Sequence, residues 1–435
     1  MMPREESDLL TITGRGTPGG ELLRRYWQPA ALAEELKPGG DPLAIKLLGE
    51  DLVLFRDDKG RVGLLDAHCS HRGADLSYGR CEEGGLRCIY HGWLYDVEGN
   101  VLEQPGEPNK GESRHTIRQP SYPCLEAGGI IFAYLGPGQA PLLPNYEFLR
   151  VTDAQRFVQK IYHECNYLQS NEGNIDPVHL SFLHRNLEQT ESDNKRQVPG
   201  SQTSPNSLFG TDIAPRIDVE LTDFGLRIFS IRNIEDDQIY VRTSNFIMPN
   251  FTAFPGQTAP AGYSVNWHVP IDDIKHWKFV IVFDREKPLQ KELVQRGRND
   301  LTPDYRLKRN KSNRYQQDRE SMKNKSFSGI GHNFQAQDAC VIESAGAVQD
   351  RTKEHLVTSD KAIIAARKLM LKSIQDIRAG REALHVVRDP AANDFSHIAV
   401  ISEVTPKTAD FKVIVNQKIQ SQRQPAAQST SGGLE

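Results

Sequence analysis

Short apolar runs separated by turn signals dominate the first third of the chain. Pro42–Leu48, Leu52–Phe55, Val62–Leu65 and Gly129–Leu135 read as strands, with Asp58-Lys59-Gly60 and Glu98-Gly99-Asn100 as turns between them. Before them, TPGGELLRRYW (residues 17–27) reads as a short amphipathic helix opened by Thr-Pro. Gly136-Pro137-Gly138 and the PLLPNY stretch mark a boundary, after which the pattern lengthens. Strands are predicted over Arg216–Leu221, Gly225–Arg232, Gln238–Ile247 and Trp277–Phe283. Helices are predicted over Pro177–Arg185 and, amphipathic throughout, over residues 359–379. Residues 186–212 are polar with little periodicity, a loop long enough to be functional or disordered. Residues 286–325 are dense in charge and read as solvated helices or loops. The expected architecture is α+β: a helical segment at 1–27 packing on the larger domain, a small antiparallel β domain at 28–145, a larger domain at 146–417 with an antiparallel sheet covered by helices (helix-grip-like), and a disordered tail at 418–435.

Bulk properties narrow the classes. With 435 residues, 53 basic against 57 acidic side chains and a net charge of −4, nothing suggests nucleic acid or an anionic membrane. The longest apolar stretches, Ile130–Leu135 and Phe279–Phe283, are far too short to span a bilayer. MMPREESDLL places acidic residues where a signal peptide has a basic region, so a cytoplasmic protein is expected. Six cysteines do not make a disulfide framework at this length. Cys81, Cys124, Cys165 and Cys340 read as structural or core residues.

The remaining two cysteines carry chemistry. Cys69-Ser-His71 is followed, after sixteen residues, by Cys88-Ile-Tyr-His91. One Cys and one His on each of two loops suit a 2Fe–2S cluster with two thiolates on one iron and two imidazoles on the other. A structural zinc site takes the same residue types, although it more often pairs Cys with Cys and His with His. Glycines at Gly73 and Gly92 let backbone N–H groups approach a charged cluster. Further along, Asp176-x2-His179-x4-His184 offers two histidines beside a carboxylate, the donor types of a facial triad on non-haem Fe(II). Two satisfied core histidines are the alternative. Five residues separate His179 from His184, about 140° on an ideal helix, so a helix carrying both must be distorted or end near His184. Asp176 precedes Pro177 and also reads as an N-cap.

The segments DAHCSHRGADLSYG and RCIYHGWLYD resemble the Rieske domain of ring-hydroxylating oxygenases. Respiratory Rieske proteins carry two further cysteines joined as a disulfide; Ala74 and Tyr90 stand at those positions here. The resemblance thus points to the oxygenase type. It implies Cys69, His71, Cys88 and His91 as cluster ligands. The D-x2-H-x4-H motif is similar to that of the oxygenase catalytic domain, implying His179 and His184 as iron ligands. In that family the equivalent of Asp176 links an iron histidine to a Rieske histidine of a neighbouring subunit, here His179 to His91. The stretch FQAQDACVIESAGAVQDRTKEHL (residues 334–356) resembles phthalate-dioxygenase-type enzymes and implies Asp338 as third ligand, with Glu343 and Asp350 as competing carboxylates.

The resemblance implies a terminal oxygenase that hydroxylates, cis-dihydroxylates or O-demethylates an aromatic compound, with an aromatic carboxylate such as a phthalate as the leading substrate. It also implies a homotrimer or stacked trimers. An aryl ether or heteroaromatic substrate and a simple Rieske electron carrier are the alternatives. An anionic substrate wants a guanidinium, and Arg185, Arg216, Arg232 and Arg242 lie in the appropriate half. Gly14-Arg-Gly16-Thr-Pro-Gly19 matches a dinucleotide fingerprint but lacks the βαβ context, and reads as a loop into the first helix. Electrons are therefore expected from a separate NADH-dependent flavin and iron–sulfur reductase, or a ferredoxin.

Overall fold

Seven strands form an antiparallel sheet in the order Arg156–His163, Lys275–Asp284, Gly262–Asp272, Phe251–Phe254, Gln238–Ile247, Gly225–Ile234 and Arg216–Leu221. An eighth, Ser402–Pro406, shares a flank of Gln238–Ile247 with the short Phe251–Phe254 strand: residues 238–242 pair with the former and 245–247 with the latter. The computed structural model describes residues 1–108, 111–188, 198, 204–235, 237–256, 261–290, 292 and 298–423. Helix Lys361–Arg378 lies along the Arg216–Leu221 and Gly225–Ile234 strands, and helix Tyr167–Ile175 lies on Gly262–Asp272. A sheet with helices laid on it, beside a small β unit, is the expected α+β class. Helices Arg4–Thr11 and Pro18–Arg24 pack against Lys361–Arg378.

The small unit contains two four-stranded sheets. One is Leu43–Leu47, Glu50–Arg56, Val62–Asp66 and Ser121–Tyr122; the other is Arg80–Glu82, Gly85–Arg87, Leu94–Tyr95 and Val101–Glu103. Val53, Phe55, Leu65, Leu76, Leu86 and Tyr95 close a core of its own around Cys69 and Cys88. A third sheet, Gln28–Leu32, Ile130–Ala133 and Cys124–Ala127, joins the main core, which continues to Trp267 and Phe283. The turn at Leu48-Gly49 docks on the large sheet, its two N–H groups donating to Pro270 O and Ile271 O at 3.0 and 2.8 Å. The two units are thereby held by backbone as well as by side chains.

Several expectations need correction. The helix expected over Pro177–Arg185 is absent; that stretch holds only a 3-10 turn at His179–Ser181. The helix lies upstream at Tyr167–Ile175, opened by the Asn166 side chain accepting from Leu168 N–H. Asp176 is its C-cap, with φ −84° and ψ 115°, not the N-cap of a following helix. The physical reason is Pro177: a proline bars the residue before it from helical geometry, so Asp-Pro here is a stop rather than a start. The tail expected to be disordered from residue 418 is helical to Arg423, because helix Phe411–Arg423 buries Val415 and Ile419 against Phe229 and Ile231. Residues 424–435 lie outside the described residues, as do 189–197 and 199–203 of the polar loop and 291 and 293–297 of the charged stretch. The described end of the polar loop forms helix Pro205–Thr211, with Leu208 and Phe209 buried.

The glycine-rich segment at 14–19 leads into the Thr17-capped helix, as expected. A Cβ on Gly20 would meet Gly14 O at 2.1 Å, so close backbone packing explains glycine there. All six cysteines are free, and Cys165 is fully buried. Among the described residues no helix is long and apolar enough to cross a membrane.

Candidate metal centres

The Cys69 and Cys88 loops share one backbone construction. Cys69 N–H donates to Ala74 O at 2.8 Å and Gly73 N–H to Cys69 O at 2.7 Å; Cys88 N–H donates to Trp93 O at 2.8 Å and Gly92 N–H to Cys88 O at 3.0 Å. Each loop turns back through a glycine with φ of 74° or 73°, a left-handed conformation that costs glycine nothing. The loops differ in where the imidazole sits, two residues after Cys69 but three after Cys88. The cysteines are 4% and 2% exposed, and the His71 and His91 rings approach to 4.5 Å between centroids. His71 also stacks on Trp93 at 4.6 Å, nearly parallel.

Two observations test whether a cluster fits. His71 Nδ1 is buried with no hydrogen-bond partner, a costly state unless something is bound there. Burial pushes the Cys88 thiol up and the neighbouring Cys69 adds to this, while the N–H groups of Tyr90 and His91 aim at its sulfur and pull the other way. Two facing sulfurs, two facing imidazoles and inward N–H donors suit an iron–sulfur cluster. Around them, Tyr95 O–H lies 3.0 Å from Cys69 Sγ and 3.1 Å from Ser70 Oγ. Gln119 accepts from Ser70 N–H at 2.8 Å and donates to Asp66 O and His68 O, locking the first loop. Ala74 is half-buried, and Tyr90 is exposed beside His91.

The structure also brings His179, His184 and Asp338 together, with ligand atoms all within 4.8 Å of one another. His179 lies on the 3-10 turn, His184 five residues on, and Asp338 on helix Phe334–Ser344. The non-helical path between the histidines is what their spacing requires. His184 Nδ1 sits 2.5 Å from Gln337 Oε1, and its Nε2 is 3.1 Å from Asp338 Oδ1. With Nδ1–H donating to the amide, Nε2 is the ring atom that faces the carboxylate oxygen. Two imidazoles and a carboxylate in that relation are the donor types that hold a divalent cation. Burial pushes the Asp338 carboxyl up, but His184, Lys278 and His179 outweigh it and hold the group well below the usual range. Lys278 Nζ, 1% exposed, stands 3.7 Å from Asp338 Oδ2. Burial, then the adjacent His184, pushes His179 down.

Asp176 lies 3.8 Å from His179 Nδ1 through Oδ2, while its Oδ1 accepts from Val178 N–H at 2.7 Å. The competing carboxylates are engaged elsewhere. Glu343 accepts from His163 Nδ1–H at 3.0 Å and from Tyr315 O–H; Asp350 pairs with Arg4 at 3.0 Å and Lys353 at 3.3 Å.

The four arginines are scattered. Arg216 is exposed on the edge strand, over the Phe411 ring. Arg185 is half-buried and its backbone pairs with Phe182 and Phe327. Arg232 is fully buried and donates to Ser230 Oγ, Pro177 O and Ser181 Oγ at 2.7, 2.9 and 3.1 Å. Arg242 donates to Pro255 O at 3.2 Å, and both guanidiniums lie over Phe209, at 5.2 and 5.6 Å from its centroid. Sequence reasoning missed Lys278, Gln337, Phe334, Tyr95 and Gln119. Only Lys278 left a signal, a cation inside the apolar run HWKFVIVF.

Residues 26–123 match the family described as Rieske 2Fe-2S domain, and residues 133–432 match LigXa C-terminal domain like. The chain is 37% identical over 404 residues to the phthalate 4,5-dioxygenase oxygenase subunit of Pseudomonas putida, covering 88% of this chain and 89% of that one. It is 32% identical over 402 residues to the 5,5'-dehydrodivanillate O-demethylase oxygenase subunit of a Sphingobium species, covering 90% and 85%. A solved reduced complex between oxygenase and ferredoxin in carbazole 1,9a-dioxygenase shares the fold, with TM-score 0.54 and 22% identity over 87% of this chain and 95% of that one.

Proposed function

The chain belongs to the Rieske non-haem iron oxygenases as a terminal oxygenase component, and from that premise we propose that its substrate is an aromatic carboxylate. Arg242 carries the proposal. Its guanidinium forms no ion pair with a carboxylate among the described residues; it donates to Pro255 O, and burial pushes it down while the neighbouring Tyr240 pulls the other way. An unpaired cation in such a place is stabilised by an anionic ligand. Register pairs Ser230 with Arg242 and Arg232 with Tyr240, so both arginines share one face of the sheet. Arg232 ties that face to the loop carrying His179 through Pro177 O and Ser181 Oγ. A carboxylate on Arg242 would thus be anchored beside the mononuclear site. The two relatives act, by their names, on phthalate and dehydrodivanillate, both aromatic acids.

Cys69, His71, Cys88 and His91 would hold the 2Fe–2S cluster, and His179, His184 and Asp338 the mononuclear iron. When bound, these groups supply one-electron transfer and activation of O2. The chain's own residues orient the substrate, exclude water and keep the ligands in place. Electrons would come from a separate reductase or ferredoxin; the related fold solved with a ferredoxin supports this. Asp176, 25% exposed and 3.8 Å from His179, would link it to His91 of the partner subunit in a trimer. Mass photometry of active protein checks the assembly, and fully active monomers would remove the bridge.

The substrate test is a panel of aromatic acids with a surrogate reductase, read as product formed. Arg242→Leu should raise KM for an aromatic acid about 10- to 100-fold, the equivalent of losing one hydrogen bond to a charged group at ~1.5–3 kcal/mol. It should leave a neutral analogue unaffected, and an equal loss on both would overturn the carboxylate reading. The O-demethylase relative favours a second outcome, release of formaldehyde from a methoxylated acid in the same panel.

A further inference from the structure

We propose that Gln337 is a positioning residue for the mononuclear metal, its amide oxygen fixing the His184 ring so that Nε2 faces the site. This rests on the reading that His179, His184 and Asp338 hold that metal. The amide's orientation is determined by its other end. Gln337 Nε2 donates to Gly331 O at 2.5 Å, and a carbonyl only accepts, so the oxygen must be the atom facing His184 Nδ1. Nδ1 therefore carries the hydrogen. Gly331 takes φ 71°, and the neighbouring Ile330 O is held by Arg309 Nη1 at 2.7 Å, so the acceptor behind the amide is itself fixed.

One helical turn delivers the whole arrangement. Helix Phe334–Ser344 is opened by Asn333 accepting from Ala336 N–H. Its Phe334 stacks on the His184 ring at 4.4 Å, Gln337 holds Nδ1, and the next residue, Asp338, stands 3.1 Å from Nε2. Gln337 is 1% exposed, so water does not compete for its oxygen. His179 has no comparable support: its Nδ1 is buried and unpartnered, with Asp176 at 3.8 Å. The two imidazoles differ: His184 has a side-chain acceptor on Nδ1, whereas His179 has a carboxylate only at 3.8 Å.

The experiment uses full-length protein with its cluster intact, stripped of mononuclear metal and titrated with Co(II) by equilibrium dialysis. Gln337→Met keeps the length and loses both the acceptor and the donor; Gln337→Glu keeps the acceptor facing His184 Nδ1 and gives up only the donor to Gly331 O. Met should weaken Co(II) binding about 10- to 100-fold, as loss of a ligand's hydrogen-bond partner does. Glu should restore most of it, with the cluster's EPR signal unchanged in both. In the Co(II) protein, a hyperfine-shifted, exchangeable His N–H proton should persist in wild type and Glu and be lost in Met. Gln337→Asn, too short to span the contact, replaces Met if that variant does not fold. Wild-type affinity in Met, or affinity in Glu as weak as in Met, would overturn the proposal. His184→Ala binding Co(II) like wild type would overturn instead the ligand assignment beneath it.

Discussion

Replacing Tyr95 by Phe removes one oxygen from the edge of the cluster site and leaves the ring in place. Tyr95 is fully buried, and burial pushes its hydroxyl well above the ordinary range, so it remains a neutral donor. A cluster sulfur only accepts, so the 3.0 Å contact to Cys69 Sγ is O–H donating to sulfur, with Ser70 Oγ at 3.1 Å donating to the phenol oxygen. A hydrogen bond to a charged acceptor is worth about 1.5–3 kcal/mol. Reduction adds an electron over the same sulfurs, so the bond strengthens on reduction. If about 1 kcal/mol of it is specific to the reduced state, its loss lowers the potential by roughly 40 mV, at about 59 mV per tenfold for one electron. Tyr95→Phe should therefore give a lower midpoint potential in an EPR-monitored redox titration, with the ligand signature retained. Ser70 is exposed, so its hydroxyl can turn to water and little stability should be lost on its account. An unchanged or raised potential with the fold intact would refute the assigned direction of the hydrogen bond.

Other perturbations separate the two centres and the frame around them. Asp338→Ala should abolish mononuclear metal in elemental analysis while leaving the cluster spectrum; retained stoichiometry would shift the assignment to Glu343. Glu172→Gln addresses the helix that leads into Asp176. Burial pushes Glu172 up, but Arg351 at 2.8 Å and Arg367 at 2.6 Å outweigh it and hold the carboxyl low. A depressed folded-state value stabilises above the ordinary carboxylate value of about 4.3 and is lost as pH falls through the folded one. The variant should lose about 3–5 kcal/mol at neutral pH, because the buried Arg351 loses its carboxylate partner while Arg367 keeps only Glu354. Its Tm gap to wild type should narrow below about pH 4, and a gap independent of pH would refute the ion pair as its cause.

What could be read in advance follows from which forces write a local pattern. Arg216–Leu221 and Gln238–Ile247 were legible because strands announce themselves through β-branched and aromatic residues between turns, and the observed bounds agree. Gly262–Asp272 was not, although it sits inside the same sheet. It is buried on both faces, so its burial has no period of two, and Asn266 and His268 interrupt its apolar character. Both side chains meet Asn174, some ninety residues away, at 2.7 and 2.9 Å, and His268 Nδ1 also meets His276 Nε2 at 3.3 Å. The same contrast divides the candidate sites. Cys69, His71, Cys88 and His91 lie on two local loops whose repeated build shows in short spacing. Asp338 needed a resemblance, because only the folded chain sets it 3.1 Å from His184. Gln337 left no mark at all: a glutamine beside an aspartate is ordinary on a helix surface. Its chemistry arises only when the loop at Gly331 and the ring of His184 arrive at its two ends. Spacing can therefore specify which atoms bind, whereas the tautomer and orientation of those atoms are set by partners distant in the chain and become visible only in the fold.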